Sequence, residues 1–267
     1  MNFLFLGDIF GKPGRNLVRN QLSKLLKEFN AQFCVANIEN IAQGRGLTEK
    51  TARVLFEAGI DAFTSGNHLW DRRESLEYLQ SEKRITKPLN SPTPAYGAEF
   101  YVIEKSGVKL AILTLCGQTF MGPANSIFAT FDTIYPKIKA ITSNILVDIH
   151  AEATAEKRAF AYYTAGKVTA VIGTHTHIQT ADEEVLDGTA YITDAGMTGP
   201  HDSVIGVKKN IILEKMTSGM PKRYEVADSG MQINGVVVTF DENTGKAQKI
   251  QRIKREYDDE LGKKITC

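Results

Sequence analysis

Five short segments of the sequence place Asp, Glu, Asn or His directly after an apolar stretch that is typical of a buried β-strand. Carboxylate, amide and imidazole groups bind metal ions, and a set without thiolate favours iron, manganese, zinc or cobalt. In open α/β sheets, ligands bind beyond the carboxyl ends of the strands, so one rim could collect all five segments. The segments are Asp8, Glu39-Asn40, Gly66-Asn67-His68, His150 and Gly173-Thr174-His175-Thr176-His177.

The distribution of histidine strengthens this interpretation. The chain has only five histidines, and His68, His150, His175 and His177 all lie in these segments, whereas His201 does not. A single histidine is more often structural or exposed than a ligand. Four at strand ends, beside carboxylates and amides, instead indicate a metal site, and a turning loop could aim both histidines of a His-x-His pair at adjacent metals.

The two acidic residues allow two interpretations. Asp8 and Glu39 could each simply cap the helix that follows its strand. Together with two amides and three or four imidazoles, however, they provide enough ligands for two metals with open positions. A bridging carboxylate such as Glu39 would hold two cations roughly 3.5–4 Å apart, the separation used for in-line attack on phosphorus.

Other catalytic motifs fail on inspection. Gly7 to Pro13 resembles a P-loop only loosely, because the spacing is one residue short and a proline replaces the required Ser/Thr. His150-Ala151-Glu152 fits the first half of a zinc-deaminase site, but no Pro-Cys-x-x-Cys completes it. The sequence has neither the H-E-x-x-H motif nor the Gly-x-Ser-x-Gly elbow.

Composition describes a globular protein without an evident polyanion-binding surface. The chain has 267 residues, 42% of them hydrophobic, and a formal net charge of +1. A basic stripe near the C-terminus is followed closely by acidic residues, so a solvated strand face explains it better than a nucleic-acid site. The stripe consists of Lys249, Arg252, Lys254 and Arg255.

The expected location is the cytoplasm. The three cysteines form no C-x-x-C pair, which argues against a disulfide framework. The short apolar N-terminus lacks the basic start of a secretory signal. No stretch approaches the roughly 18 apolar residues of a membrane span.

The elements that would position these residues alternate between strands and helices. A helix is predicted over Leu17–Phe29, and another from a Thr48 cap to near Gly59. A third helix would end near Gly166. The predicted strands are Met1–Leu6, Phe33–Ile38, Asp61–Ser65, Phe100–Lys105, Val108–Leu115, Ile145–Ile149, Val168–Ile172, Gly235–Phe240 and Ala247–Ile253.

This alternation, followed by hairpins, predicts an α/β fold. It could contain one mixed sheet or two sheets packed together. With no repeat and no long linker, residues 1–267 are expected to form one domain.

The segments Gly7-Asp8, Gly66-Asn67-His68 and Gly173-Thr174-His175-Thr176-His177 resemble those of calcineurin-like metallophosphoesterases. Phe10 replaces the metal-binding His of the usual Asp-x-His motif, and Glu39-Asn40 replaces the second Asp segment. Both departures match the bacterial YmdB family. The likeness covers nearly the whole chain, including Asn37-Ile38-Glu39-Asn40, Gly66-Asn67-His68-Leu69-Trp70-Asp71, His150-Ala151-Glu152-Ala153-Thr154 and Thr193-Asp194-Ala195-Gly196-Met197-Thr198-Gly199-Pro200.

The resemblance implies a four-layer αββα sandwich, with two mixed sheets flanked by helices, and cyclic-nucleotide phosphodiesterase activity. It also implies two transition-metal ions, with iron or manganese favoured and zinc or cobalt as alternatives. Glu39 would bridge the two metals, while Phe10 leaves the occupancy of one site open. One metal would be held by Asp8, Glu39, Asn40 and His177, and the other by Glu39, Asn67, His150 and His175.

The expected mechanism is attack on phosphorus by a hydroxide held at the metals, with His68 as the general acid. The favoured substrate is a 2′,3′-cyclic nucleotide, with weak discrimination among bases because no aromatic platform is evident. Two alternatives stay open: a phosphomonoesterase or nucleotidase, and a regulatory protein that keeps the fold with little turnover. No membrane partner is expected, and the sequence leaves the oligomeric state open.

Overall fold

Two β-sheets form the centre of the structure, a computed structural model that describes residues 1–92 and 95–262. The first sheet has seven strands: β1 (Asn2–Leu6), β2 (Asp8–Ile9), β3 (Phe33–Asn37), β4 (Ala62–Thr64), β11 (Met197–Pro200), β12 (Met231–Phe240) and β13 (Ala247–Tyr257). The second has six: β5 (Tyr101–Lys105), β6 (Val108–Cys116), β7 (Ile145–His150), β8 (Ala170–Thr174), β9 (Glu184–Leu186) and β10 (Thr189–Ile192). The α-helices are α1 (Gly11–Glu28), α2 (Glu49–Glu57), α3 (Leu76–Ser81), α4 (Ile127–Lys139), α5 (Thr154–Thr164) and α6 (Lys209–Ser218).

Both sheets are mixed. In the first, β1, β3 and β4 run parallel to one another, while β12 pairs antiparallel with β1, β11 and β13. In the second, β6, β7, β8 and β10 are parallel, and β5 and β9 are antiparallel to their neighbours. The carboxyl ends of the parallel strands therefore form a rim on each sheet.

The alternation of side chains along β1 shows how the layers stack. Phe3 and Phe5 point into a core between the two sheets, whereas Leu4 and Leu6 point into a core shared with helices α1 and α2. A third core lies between the second sheet and helices α4 and α5. Two faces of a strand can both be apolar only when both are covered. The four-layer αββα sandwich is therefore confirmed.

Most of the predicted elements are present. Thr48 caps α2 with a reciprocal capping box, and Ser106-Gly107 joins β5 to β6 in an antiparallel hairpin. Helix α1 begins at Gly11, six residues before its predicted start, because its N-cap, Phe10, makes no side-chain cap that the sequence could signal.

Seven elements are not predicted from the sequence: helices α3, α4 and α6 and strands β2, β9, β10 and β11. Strand β11 contains a glycine and a proline, which are depleted from strands. Helix α4 has Pro136 near its end, and α6 buries only Ile212, so neither presents a clean helical pattern.

Cys34 and Cys116 are buried and free, and Cys267 lies outside the described residues. None of the helices in the described ranges combines the length and apolar character that crossing a membrane requires.

Candidate metal centre

The structure brings all seven predicted metal ligands to one place, where the rims of the two sheets meet. The first sheet contributes Asp8 at the start of β2 and the loops after β3 and β4, which carry Glu39, Asn40 and Asn67. The second sheet contributes the residues at the ends of β7 and β8, namely His150, His175 and His177.

One group of these side chains surrounds His150. Its Nε2 atom lies 3.1 Å from Glu39 Oε1, 3.0 Å from Asn67 Oδ1 and 3.1 Å from His175 Nδ1. Glu39, His150 and His175 each offer one ligand atom within 4.8 Å of the others. Together with Asn67, these three residues are the ones expected from the sequence to hold one of the metals.

The second group surrounds His177. Its Nε2 atom lies 3.1 Å from Asn40 Nδ2 and 3.9 Å from Asp8 Oδ1. The amide of Asn40 is also 3.4 Å from Glu39 Oε1, so the Glu39 carboxylate contacts both groups. Rotating that amide by half a turn would present its oxygen, the metal-binding atom, at the same position.

The lone pairs of the clustered side chains are not all satisfied by hydrogen bonds within the cluster, and a cation would satisfy them. Asp8 Oδ1 is buried without a hydrogen-bond partner among the described residues, an arrangement that normally costs stability. Around His150 Nε2, three further acceptor-capable atoms compete for at most one proton. Metal ions would satisfy these lone pairs together, and the nitrogen and oxygen donors suit divalent metals.

The charges of the cluster are consistent with metal binding. Burial raises the pKa of Asp8, and burial followed by the positive charge of His150 lowers the pKa of His175 to about 3. Burial opposes the charged forms of Glu39 and His150, but their mutual attraction lowers the pKa of Glu39 and raises that of His150. These two shifts favour a proton on His150 and a charged Glu39, and binding of a metal by His150 would release that proton.

The outer nitrogens of the two buried imidazoles have partners that orient the rings. His177 Nδ1 lies 3.0 Å from the backbone oxygen of Ile205, and His150 Nδ1 lies 2.8 Å from Thr174 Oγ1. Thr174 in turn donates to Asp148 Oδ1 at 2.6 Å. Such contacts leave each Nε2 with its lone pair directed at the cluster.

His175 faces the cluster with its Nδ1 atom, whereas His150 and His177 face it with Nε2. The Nε2 atom of His175 lies 3.2 Å from Glu152 Oε2, so Nδ1 is the atom that faces His150. Glu152 belongs to the H-x-E sequence that resembled a deaminase motif. In the structure its carboxylate contacts a proposed metal ligand from outside the cluster.

His68 occupies a different position from the other histidines at the rim. Its backbone N–H donates to Glu39 Oε2 at 2.8 Å, while its ring Nδ1 lies 2.8 Å from Asp71 Oδ2. Asp71 is also paired with Arg45 at 2.5 Å. The His68 side chain lines the cavity above the cluster.

The loop that carries His175 and His177 has an unusual backbone. Both residues have positive φ angles, of 101° and 64°, which cost side-chain-bearing residues about 1–3 kcal/mol. Asp194 Oδ2 holds the turn by accepting from Thr176 N at 3.1 Å and Oγ1 at 2.8 Å. Lys157 donates to Asp194 at 2.9 Å and to the backbone oxygen of Thr174 at 2.7 Å.

Lys157 and Asp194 have no role predicted from the sequence, although both side chains are completely buried. Lys157 shares a face of α5 with Phe160, Ala161 and Thr164, and this spacing could have identified it as a buried cation. Asp194 follows strand β10, which the sequence analysis had not predicted.

We expect Lys157→Met to lower the free energy of unfolding by about 3–5 kcal/mol, because it leaves the Asp194 carboxylate buried without its counter-ion. Urea denaturation would measure the change. Adding Asp194→Asn should recover part of the loss, whereas Lys209→Met, which breaks an exposed pair with Asp202, should leave the midpoint nearly unchanged. An unchanged midpoint for Lys157→Met would contradict this role.

Two tight contacts shape the space around the cluster. A Cβ atom on Gly66 would lie 2.2 Å from His150 Nε2 and 2.4 Å from Glu39 Oε2, so only glycine fits. On the other side, the buried ring of Phe10 packs edge-on against His177, with ring centres 5.5 Å apart. Phe10 therefore supports a proposed ligand through packing, at the position where the related motif has a histidine.

A cavity of about 820 Å³ opens above the cluster. Its floor contains proposed ligands and His68, and one wall comes from the loop after β3. The opposite wall comes from the segment between β11 and β12 and contains Ile205, Val207, Lys215, Lys222, Tyr224, Glu225 and Val226. The volume lies within the range of small-molecule sites.

Known proteins are similar to this chain in both sequence and fold. A model of the family described as YmdB-like protein matches residues 4–253. The 2′,3′-cyclic-nucleotide 2′-phosphodiesterase of Bacillus subtilis is 41% identical over 254 residues, covering 95% of this chain and 96% of that protein. The structure of a novel phosphatase from Mycoplasma pneumoniae is 36% identical with a TM-score of 0.91, covering 97% of this chain and 94% of the other.

A more distant structure shows the fold alone. The NAD nucleotidase of Haemophilus influenzae superposes with a TM-score of 0.55 at 13% identity. The match covers 97% of this chain and 56% of that one.

Proposed function

Because the chain belongs to the YmdB-like family, we propose that it is a metal-dependent phosphodiesterase that hydrolyses cyclic nucleotides, with 2′,3′-cyclic nucleotides favoured. It is a hydrolytic phosphoesterase, as the names of its relatives indicate. The single observation that carries the finer proposal is the position of Glu39, whose carboxylate contacts both groups of ligands. The substrate preference follows the Bacillus subtilis relative.

The proposed cofactor is a pair of transition-metal ions, with iron or manganese favoured and zinc or cobalt as alternatives. Asp8, Glu39, Asn40 and His177 would hold one, and Glu39, Asn67, His150 and His175 the other. When bound, such ions activate water at neutral pH and neutralise charge on phosphoryl oxygens.

The remaining steps belong to the side chains of this protein. In the proposed reaction, a water oxygen joins phosphorus and loses one proton to solvent, the bond between phosphorus and the 2′ oxygen breaks, and His68 donates a proton to that oxygen. His68 then regains a proton from solvent. His68 Nδ1 lies 2.8 Å from Asp71 Oδ2 and 3.2 Å from Arg45 Nε, and these contacts hold the ring at the cavity. An imidazole is suited to this transfer because it can carry a proton near neutral pH.

Two further expectations stay predictions: residues 1–267 form one domain, and the protein works in the cytoplasm. The oligomeric state stays open, with a homo-oligomer as one of the assemblies to be tested. The apolar core shared by the two sheets is consistent with one domain. The buried, unpaired thiols of Cys34 and Cys116 suit a reducing compartment.

The proposal is tested by combining metal analysis with a substrate panel. We expect protein purified without chelator to carry close to two metal ions per chain, and 2′,3′-cyclic nucleotides to be hydrolysed faster than 3′,5′-cyclic nucleotides or nucleoside monophosphates. Faster hydrolysis of the monophosphates would overturn the diesterase assignment in favour of a phosphomonoesterase. Absence of metal, with no gain of activity on adding manganese or iron, would overturn the metal-dependent mechanism.

A further inference from the structure

We propose that Tyr224 forms the base-binding wall of a nucleoside subsite next to the metal centre. This inference rests on the proposed function and extends it, because it identifies what recognises the part of the substrate remote from phosphorus. It also replaces the sequence-based expectation of weak discrimination among bases with a specific preference.

The cavity is larger than a cyclic phosphate requires. Beyond the ligands and His68, its 820 Å³ extends along the wall between β11 and β12. That wall offers the apolar side chains of Ile205, Val207 and Val226 and the ring of Tyr224. Apolar walls with a few polar groups are typical of sites that enclose a small organic ligand.

Tyr224 has the exposure and the chemistry that stacking needs. Its side chain is 50% exposed, whereas Phe10, the other aromatic residue lining the cavity, is only 4% exposed and covered by backbone. Every nucleobase has a π-face, and aromatic side chains bind such faces by stacking. Within the described lining of the cavity, Tyr224 is the ring available for this contact.

Neighbouring residues contact Tyr224 and hold the segment that follows it. Val226 pairs with Val207 in an antiparallel bridge, and Lys208 N donates to the backbone oxygen of Glu225 at 3.0 Å. The Lys215 ammonium contacts the Tyr224 hydroxyl and lies 4.7 Å from the ring centre. Tyr224 is therefore held against the fold while part of its surface stays open.

The chemistry favours a nucleoside over a bare phosphoester. The floor of the cavity binds the charged phosphoryl group, while the wall supplies an aromatic ring and a cation that a base can contact. Stacking strength grows with the area of the base, so purine nucleotides should bind more tightly than pyrimidine nucleotides.

The test compares Tyr224→Ala and Tyr224→Phe with the unmodified protein on two substrates. Adenosine 2′,3′-cyclic phosphate carries a base, whereas glycerol 1,2-cyclic phosphate presents the same five-membered diester without one. We expect Tyr224→Ala to raise KM for the nucleotide about 5- to 100-fold, the usual worth of one stacked base. Its kcat/KM for the glycerol ester should stay within about twofold, and Tyr224→Phe should restore the nucleotide KM.

Calorimetry gives a readout without turnover. Tyr224→Ala should weaken binding of adenosine 3′-monophosphate, the expected product, and leave binding of inorganic phosphate unchanged. Tyr162 is a matched control, because it is exposed, has Arg158 4.7 Å from its ring centre and is not among the described residues lining the cavity. Tyr162→Ala should therefore have no effect on either ligand.

The outcomes separate this inference from the proposed function. Equal losses on both substrates would assign Tyr224 a purely structural role, and unchanged constants on both would remove it from the binding site; either result overturns the inference while the diesterase stands. If the unmodified, metal-loaded protein hydrolyses neither cyclic ester, the proposed function itself fails, and with it the subsite.

Discussion

Glu39→Ala is expected to remove most of the bound metal and to lower turnover at least about a thousandfold, because the barrier depends on several kcal/mol supplied by the metals. The carboxylate lies 3.1 Å from His150 Nε2 and 3.4 Å from the Asn40 amide, so its loss takes a ligand from both proposed sites. Metal content per chain and hydrolysis of adenosine 2′,3′-cyclic phosphate would be measured on the same preparation.

Glu82→Ala is a suitable control for that experiment. Glu82 is also a largely covered carboxylate in an ion pair, with Arg84 at 2.7 Å, but it does not line the described part of the catalytic cavity. Its variant should keep both metals and normal turnover. If Glu39→Ala also kept two metals and full activity, Glu39 would not be the bridging ligand.

The second large effect is expected for His68→Ala, with turnover reduced about 10²- to 10⁴-fold, the usual contribution of a general acid. Metal content should stay near two per chain, because the contact of this residue with Glu39 is made by its backbone N–H, which alanine retains. His201→Ala should leave both quantities unchanged, since His201 contacts the backbone oxygen of Met197 instead.

Leaving-group dependence separates catalysis from substrate positioning at His68. A nitrophenolate departs without a proton, so the loss for nitrophenyl diesters should be much smaller than for cyclic nucleotides. Equal losses for both classes would assign His68 to positioning, and a fall in metal content would make it a ligand. Asp71→Asn should give a smaller effect of the same kind, because it weakens a contact of the His68 ring and leaves the imidazole itself in place.

The proposed ligands could be predicted from sequence because their signal is local. Each follows an apolar run, and in β1 the run Phe3–Leu6 is apolar at every position because one face meets the second sheet and the other meets α1 and α2. A polar residue that ends such a run stands out. Parallel pairing of the strands then places the polar residues on the same rim.

The surroundings of the site could not be predicted in the same way. Lys157 and Asp194 are 37 residues apart, and Asp148 reaches His150 only through Thr174, so these contacts depend on how the second sheet assembles. The left-handed backbone at His175 and His177 leaves no compositional trace, because glycine is absent from both positions.

The cavity wall that contains Tyr224 could not be predicted from the sequence for a related reason. Tyr224 lies in a segment without regular secondary structure, and α6 buries only Ile212, so periodicity gives no indication of what this region covers. Its relation to the metal centre arises from the long return of the chain between β11 and β12.

The proposed ligands are divided between the two sheets, with Asp8, Glu39, Asn40 and Asn67 following strands of one and the three histidines following strands of the other. Bound ions would therefore act as a cross-link between two halves that otherwise meet through an apolar core and a few polar contacts, such as that of Asn37 with Asp148. Because the ions would bind the folded chain and not the separated halves, the free energy of unfolding would rise with metal concentration by mass action. A chelator would then act on this protein as a denaturant as well as an inhibitor.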